Sequence, residues 1–111
     1  MATLMLDPGE MTARLSIEAP QPAPDGQGGA SLSWTELGSA WARIEPVRAD
    51  FGEEASAGTG TVTHRIWLRF REDVAAGQRL RKASRIFRVK LVRDPDETRR
   101  FLVCHCEEAA R

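Results

Sequence analysis

Apolar and polar residues alternate along several short segments of this 111-residue chain. The longest segment runs over 61–71. Its mainly apolar face carries Val62, His64, Ile66, Leu68 and Phe70. A period of two residues is typical of a strand with one face in a core and the other in solvent. The segment therefore predicts a long, half-buried strand whose outer face carries Arg65, Trp67 and Arg69.

The same pattern recurs in shorter stretches separated by turn residues. It predicts further strands over 13–18, 31–36, 39–45, 78–82, 85–93 and 99–107. Proline cannot donate to a strand ladder, so Pro20, Pro22 and Pro24 are expected to end the first strand, and Gly38 to separate the next two. No segment shows a helical stripe. The predicted fold is all-β, a small antiparallel β-barrel or sandwich of about six to seven strands with a long loop.

The long loop is predicted over 46–60, where polar residues and glycines replace the alternation. Its centre is acidic around one large apolar side chain, in the order Asp50, Phe51, Gly52, Glu53 and Glu54. A loop of this length is uncommon in a small domain unless it serves a function.

The chain is otherwise expected to form one domain over 1–111, flexible over 1–11, because its length suits a single modest core.

Charge is divided unevenly along the chain although the net charge is zero. Residues 1–60 carry three basic and nine acidic side chains (net −6), whereas 61–100 carry twelve basic and five acidic ones (net +7). Such polarity suits a head-to-tail contact with a neighbouring subunit or a surface facing an anionic partner such as DNA. The alternative is that the basic side chains only occupy the solvated faces of strands.

The N-terminal sequence lacks a basic region followed by an apolar run, so neither a signal peptide nor a membrane span is expected. This predicts a soluble protein that is intracellular at synthesis.

Cys104 and Cys106 are the two cysteines. At i and i+2 of a strand they are poorly placed for a disulfide, which favours reduced thiols.

Neither a metal site nor a catalytic site is predicted. His105 would point away from the two flanking sulfurs on a strand, and His64 is the remaining histidine. The thiols are expected to pack as small apolar groups. No nucleophile stands in a recognised motif, and the glycines at 26, 28 and 29 lack the setting of a phosphate-binding loop. No enzymatic activity and no cofactor are expected.

The outer face of the 61–71 strand is the best candidate for an interaction surface. Arginines beside Trp67 are compatible with binding single-stranded nucleic acid on a β-barrel. Surfaces that bind single strands usually carry several aromatic rings, whereas this face offers one. Trp and Arg are also enriched in contacts between subunits. The predicted subunit interface consists of Trp41, Arg65, Trp67 and Arg69. A free-standing nucleic-acid-binding β-barrel is the alternative function.

The order of several short motifs resembles the phage head-tail joining family, whose members are called head-completion or stopper proteins. The resemblance runs from about Met11 to Glu108. It rests on the segments 25–29, Trp34, 41–45, 63–69, 77–79, 87–89 and 104–107. Two features depart from the family pattern. Trp67 stands where the family often has another hydrophobic residue, and the segment 20–24 is unusually rich in proline.

The resemblance implies a structural connector subunit of a long-tailed phage or a phage-like gene-transfer particle. Such subunits form a ring, here expected to have twelve copies, between the portal or adaptor on the head side and the tail terminator or tail tube protein. The ring would retain and gate double-stranded DNA passing through its lumen. The segment 47–60 resembles the family's lumen-facing loop. The expected location is the particle neck, with a cytoplasmic stage during assembly and no membrane partner.

Overall fold

The computed structural model describes residues 8–24, 26, 28–47 and 61–109, and within them six antiparallel strands form one sheet that closes into a barrel. The strands are β1 (Ala13–Pro24), β2 (Ala30–Pro46), β3 (His64–Arg69), β4 (Arg79–Lys82), β5 (Arg85–Arg93) and β6 (Phe101–Glu108). Around the barrel they follow the order β1-β2-β3-β6-β5-β4. The all-β prediction is confirmed. The described part of the chain contains no helix that could span a membrane.

The core is filled by the apolar side chains that alternate with polar ones along the strands. Its fully buried side chains are Leu15, Ile17, Ile66, Leu68, Leu80, Phe87, Cys104 and Cys106. Ala40 and Ile44 pack against them from β2. Strand β6 is unusual because Phe101 to Cys106 are buried at every position, on both faces. It pairs with β3 on one side and with β5 on the other.

The hairpin formed by β1 and β2 extends past the closed part of the barrel. Strand β4 pairs with β1 only over Ser16 to Glu18, whereas the pairing of β1 with β2 continues to Pro24 and Ala30. We call residues 19–24 and 30–36 the arm. Its turn contains Gly26 and Gly28, both with φ of 82°, a conformation that glycine adopts without strain.

The prolines do not end β1, and that expectation was wrong. Pro20, Pro22 and Pro24 lie opposite Trp34, Leu32 and Ala30. Pairs in an antiparallel ladder alternate between hydrogen-bonded and non-hydrogen-bonded. Three prolines spaced two apart all occupy non-hydrogen-bonded pairs, so their nitrogens face away from β2. The strand therefore continues through them, and its outer edge lacks N–H donors at these positions.

Two bulges change the predicted alternation. Gly38 does not divide β2, which runs without a break over 17 residues. Instead, the register shifts opposite Ile17 and Glu18, which leaves Leu37 as the extra residue. In β5 a second shift between Val89 and Leu91 reverses the facing of the following residues. Leu91, which strict alternation with Phe87 and Val89 would place in the core, is 39% exposed, and Val92 packs inward in its place.

The remaining boundaries differ by a few residues. Strand β3 is shorter than the predicted 61–71, although Val62 is buried and Phe70 packs on the core. Before β1, residues Pro8–Glu10 form a 3-10 turn and Met11 is buried. Beyond β2, the Val47 N–H donates to the Thr63 carbonyl at 2.8 Å. Val47 and Thr63, which flank this part of the sequence, are therefore held close together.

Candidate functional site

The structure brings the predicted interface residues onto one outer surface formed by β2 and β3. Arg65 lies opposite Glu45, and Trp67 lies opposite Arg43. Ala42 pairs with Leu68 in the interior. The next positions, Trp41 and Arg69, extend the outer surface toward the arm. The alternation along both strands predicted this facing correctly.

Within this surface, Arg65 and Trp67 are engaged by the barrel itself. The Arg65 Nε lies 3.1 Å from Glu45 Oε1, and Arg43 contacts the same carboxylate at 3.8 Å. Trp67 is half-buried. Its indole N–H is buried and has no acceptor among the described residues. Neither side chain is therefore free for a nucleic-acid base to stack on it.

Trp41 and Arg69 are the exposed members, and they border a hollow of about 620 Å³. The lining residues are Met11, Thr12, Ser39, Ala40, Trp41, Arg69 and Arg71. Trp41 is 54% exposed. The guanidinium of Arg14 lies 5.2 Å from the centre of its ring and donates to Ser39 Oγ at 2.8 Å. The hollow therefore has an aromatic wall held in place by a neighbouring cation.

The two arginines of the hollow differ in their contacts. Arg71 donates twice to the Asp73 carboxylate, at 2.9 Å each, and once to the Ser39 carbonyl. These bonds raise the pKa of Arg71 and lower that of Asp73. Arg69 forms no ion pair within the described ranges. It is thus the cation of the hollow that remains available to another molecule.

A second cluster, at the base of the arm, was not predicted from the sequence. Glu18 is 5% exposed and lies between Arg79, at 2.5 Å, and Arg81, at 3.2 Å. The Arg79 guanidinium also lies 4.3 Å from the centre of the Trp34 ring. This cluster joins β1, β2 and β4 where the barrel closes. It lies at the point from which the arm leaves the barrel.

The Cys104-His105-Cys106 segment is structural in this arrangement. Both sulfurs face the core, and burial raises the pKa of Cys104 to about 12 and that of Cys106 further. Such thiols remain protonated and unreactive at neutral pH. Among the residues that the structure describes, no group of three or more His, Cys, Asp or Glu side chains is placed to hold a metal ion.

His64 lies at the rim of the core. Its ring meets Phe87 edge to face at 5.1 Å, its Nδ1 lies 2.9 Å from Thr63 Oγ1, and its Nε2 lies 3.9 Å from Glu108 Oε1. Burial lowers the pKa of His64 below its ordinary value of 6.5, although Glu108 acts in the opposite direction. The neutral imidazole is therefore the form that the folded barrel favours.

This shift predicts a pH dependence of stability. Between the folded-state pKa and 6.5 the unfolded chain binds more protons than the folded one, so stability falls as the pH drops through about 6.5. His64→Gln should remove this contribution. Urea unfolding at pH 7.5 and pH 5.5 measures it, and the difference between the two pH values should be smaller in the variant. An equal difference in both proteins would show that His64 does not titrate in this way.

Ion pairs neutralise much of the basic outer surface, which bears on the nucleic-acid alternative. The Lys and Arg side chains paired with carboxylates are Arg43, Arg65, Arg71, Arg79, Arg81, Arg85, Lys90 and Arg100. Phosphate contacts on a nucleic acid would compete with these bonds.

The predicted lumen loop lies outside the described residues. It consists of Asp50, Phe51, Gly52, Glu53 and Glu54.

Two solved structures share this architecture. Protein SF1141 from Shigella flexneri 2a superposes with a TM-score of 0.73 at 24% identity, over 96% of this chain and 99% of that one. A chain in the virion of a native gene transfer agent particle superposes with a TM-score of 0.64 at 28% identity, over 90% and 96%. No curated protein sequence matches this chain at a significant level.

The sequence itself gives the more specific assignment. Residues 6–109 match the family described as phage head completion protein. The match covers every strand of the barrel, including the arm and the surface with Trp41 and Arg69. Proteins of this family are structural components of virions and not enzymes. This chain therefore belongs to the phage head completion protein family.

Proposed function

We propose that this protein is a connector subunit that forms a ring at the head-tail junction of a long-tailed phage or a gene-transfer particle. The observation that carries the proposal is the family match over residues 6–109. The similarity to a chain of a gene transfer agent virion supports the same role. In this proposal twelve copies lie between the portal or adaptor and the tail terminator or tail tube protein, and the chain is cytoplasmic until assembly.

The proposed contacts between neighbouring subunits involve the outer surface of β2 and β3. A closed ring requires two different, complementary surfaces on each subunit. Trp41 and Arg69 are exposed there, and Trp and Arg dominate the energetics of many protein interfaces. Arg65 and Trp67 would contribute as the half-buried floor of the contact. The uneven charge of the chain favours head-to-tail orientation over a symmetric dimer.

The segment 47–60 is proposed to face the lumen and act on DNA. Asp50, Glu53 and Glu54 repel phosphate groups, so a ring lined by them would let DNA slide without binding to it. Phe51 is the large apolar group among them, suited to contact the copies from neighbouring subunits. In this proposal the segment retains the packaged genome until the tail signals release.

The proposal is tested by shortening that segment in particles. Because Val47 and Thr63 are hydrogen-bonded, 48–60 can be replaced by a short Gly-Ser linker without straining the barrel. Particles should still assemble and acquire tails, but they should lose packaged DNA. The measurement is nuclease-protected DNA per particle, with delivery to recipient cells. A matched control keeps the length and replaces the three carboxylates by amides, which should retain DNA but slow its release.

Two results would contradict the proposal in different ways. If the shortened variant packages, retains and delivers DNA as the wild type does, the gating role is wrong. If purified particles lack the protein altogether, its role as a connector subunit is wrong. Assembly of tailed, DNA-filled particles in a strain that lacks the chain would lead to the same conclusion.

A further inference from the structure

The arm carries an apolar ridge that is exposed within the described parts of the chain, and one side of it borders a hollow shared with β4 and β5. Pro22 and Leu32 lie opposite each other, and Pro24 follows on the same face. All three are exposed, Leu32 by 58%. Trp34, on that face at the base of the arm, is already covered by Arg79. We call Pro22, Pro24 and Leu32 the ridge.

The ridge is suited to contacts through side chains and poorly suited to strand pairing along β1. The prolines remove the outward N–H donors of that edge, so another strand could not form a regular ladder on it. Proline rings pack well on aromatic side chains, as they do where aromatic-lined grooves bind proline-rich segments, and a proline held in a hairpin is already ordered. The hollow beside Trp41 provides such an aromatic wall.

The charges of the two surfaces are complementary. From residue 15 to residue 42 the sequence contains acidic side chains but no lysine or arginine. The hollow is bordered by Arg69, which forms no ion pair within the described ranges, and by Arg14 over the indole. The charged side chain of the described arm is Glu36, which is exposed on the same face as the ridge, whereas Glu18 at the base is already paired with Arg79 and Arg81. An apolar arm with an exposed carboxylate therefore matches a basic, aromatic hollow.

The ridge cannot reach the hollow of its own chain. Leu32 and Trp41 are nine residues apart on the same strand, a separation of about 30 Å along the extended backbone. The ladder between β1 and β2 continues through the whole arm, so the ridge stays far from Trp41 of the same chain. A contact between the two surfaces must join two copies, and because the surfaces differ it is heterologous.

From these observations we infer that the arm of each subunit docks its ridge into the Trp41 hollow of the next copy of this chain. This inference rests on the proposed ring and specifies the contact that closes it. Each subunit gives an arm on one side and receives one on the other. Copies linked in this way generate a ring or a chain of defined direction.

Cysteine cross-linking tests the contact in assembled particles and in the concentrated purified protein. Leu32→Cys is combined with Thr12→Cys, at the exposed edge of the hollow. The native thiols are buried and contribute little background. Mild oxidation should produce a ladder of dimers, trimers and larger products, and its last step gives the number of subunits. Either cysteine alone should yield dimers at most.

The control combines Thr12→Cys with Ser33→Cys, which lies on the opposite face of the same arm. It should cross-link several-fold less. If particles contain the double variant but its ladder does not exceed the control, the docking inference is wrong while the proposed ring still stands. If the protein is absent from particles, the proposed function fails and this inference fails with it.

A second pair of variants distinguishes loss of the contact from misfolding of the subunit. Leu32→Glu and Ser33→Glu both introduce an acidic group at exposed positions of the arm, so each should keep the wild-type unfolding midpoint. Leu32→Glu should reduce incorporation into particles strongly, and Ser33→Glu should not. Equal incorporation of both variants would overturn the docking of the ridge.

Discussion

Replacing Phe87 by alanine is expected to lower the free energy of unfolding by about 3–5 kcal/mol. Phe87 is the largest of the fully buried side chains and touches the ring of His64. Its loss leaves a cavity that the hydrogen-bonded strands around it cannot close. A barrel of this size has a total stability of roughly 5–15 kcal/mol, so much of the margin would disappear. Urea unfolding followed by tryptophan fluorescence measures the change.

Leu91→Ala is the matched control because the same strand carries it. The bulge in β5 turns Leu91 outward, where it is 39% exposed. Its truncation should cost less than about 1 kcal/mol, as for most surface substitutions. A large loss from Leu91→Ala, or a small one from Phe87→Ala, would contradict the facing that the structure gives to β5.

Removing the charge of Glu18 is the second large perturbation. Glu18→Gln should destabilise the protein by about 2–4 kcal/mol, because it leaves two arginines without their shared carboxylate. The value lies below that of a fully buried pair because Arg81 is partly exposed to solvent. The substitution should also loosen the junction of β1 and β4. Hydrogen exchange should therefore become faster at Ser16 and Ile17.

Glu36→Gln serves as the control for Glu18. The two glutamates are directly paired across β1 and β2, but Glu36 is exposed and has no ion pair within the described ranges. Its substitution should change stability by less than about 0.5 kcal/mol. If both variants behave alike, the arginine contacts of Glu18 contribute nothing to closing the barrel.

Local patterns in the sequence predicted most of the fold. Alternation over β3 placed Ile66 and Leu68 inside and Trp67 outside, and the same pattern on β2 turned Trp41 outward. These facings need only the two-residue period of a strand and one buried face. The family resemblance was confirmed over nearly the whole chain.

The predictions that were wrong concern features that the two-residue period of a strand does not determine. The prolines of β1 look like strand breakers until the direction of each missing N–H is known. The bulges near Leu37 and Lys90 depend on the partner strand, so alternation alone does not reveal them. The contact of Glu18 with Arg79 spans 61 residues and becomes visible only after the barrel closes.

The burial of β6 on both faces has a consequence for how the protein is made. This strand joins β3 to β5, so a nascent chain that has not yet released residues 101–108 from the ribosome has no complete core. Folding must then follow translation of this segment instead of accompanying it. Until that moment two apolar strands remain uncovered, and chaperone capture during synthesis would protect them from aggregation.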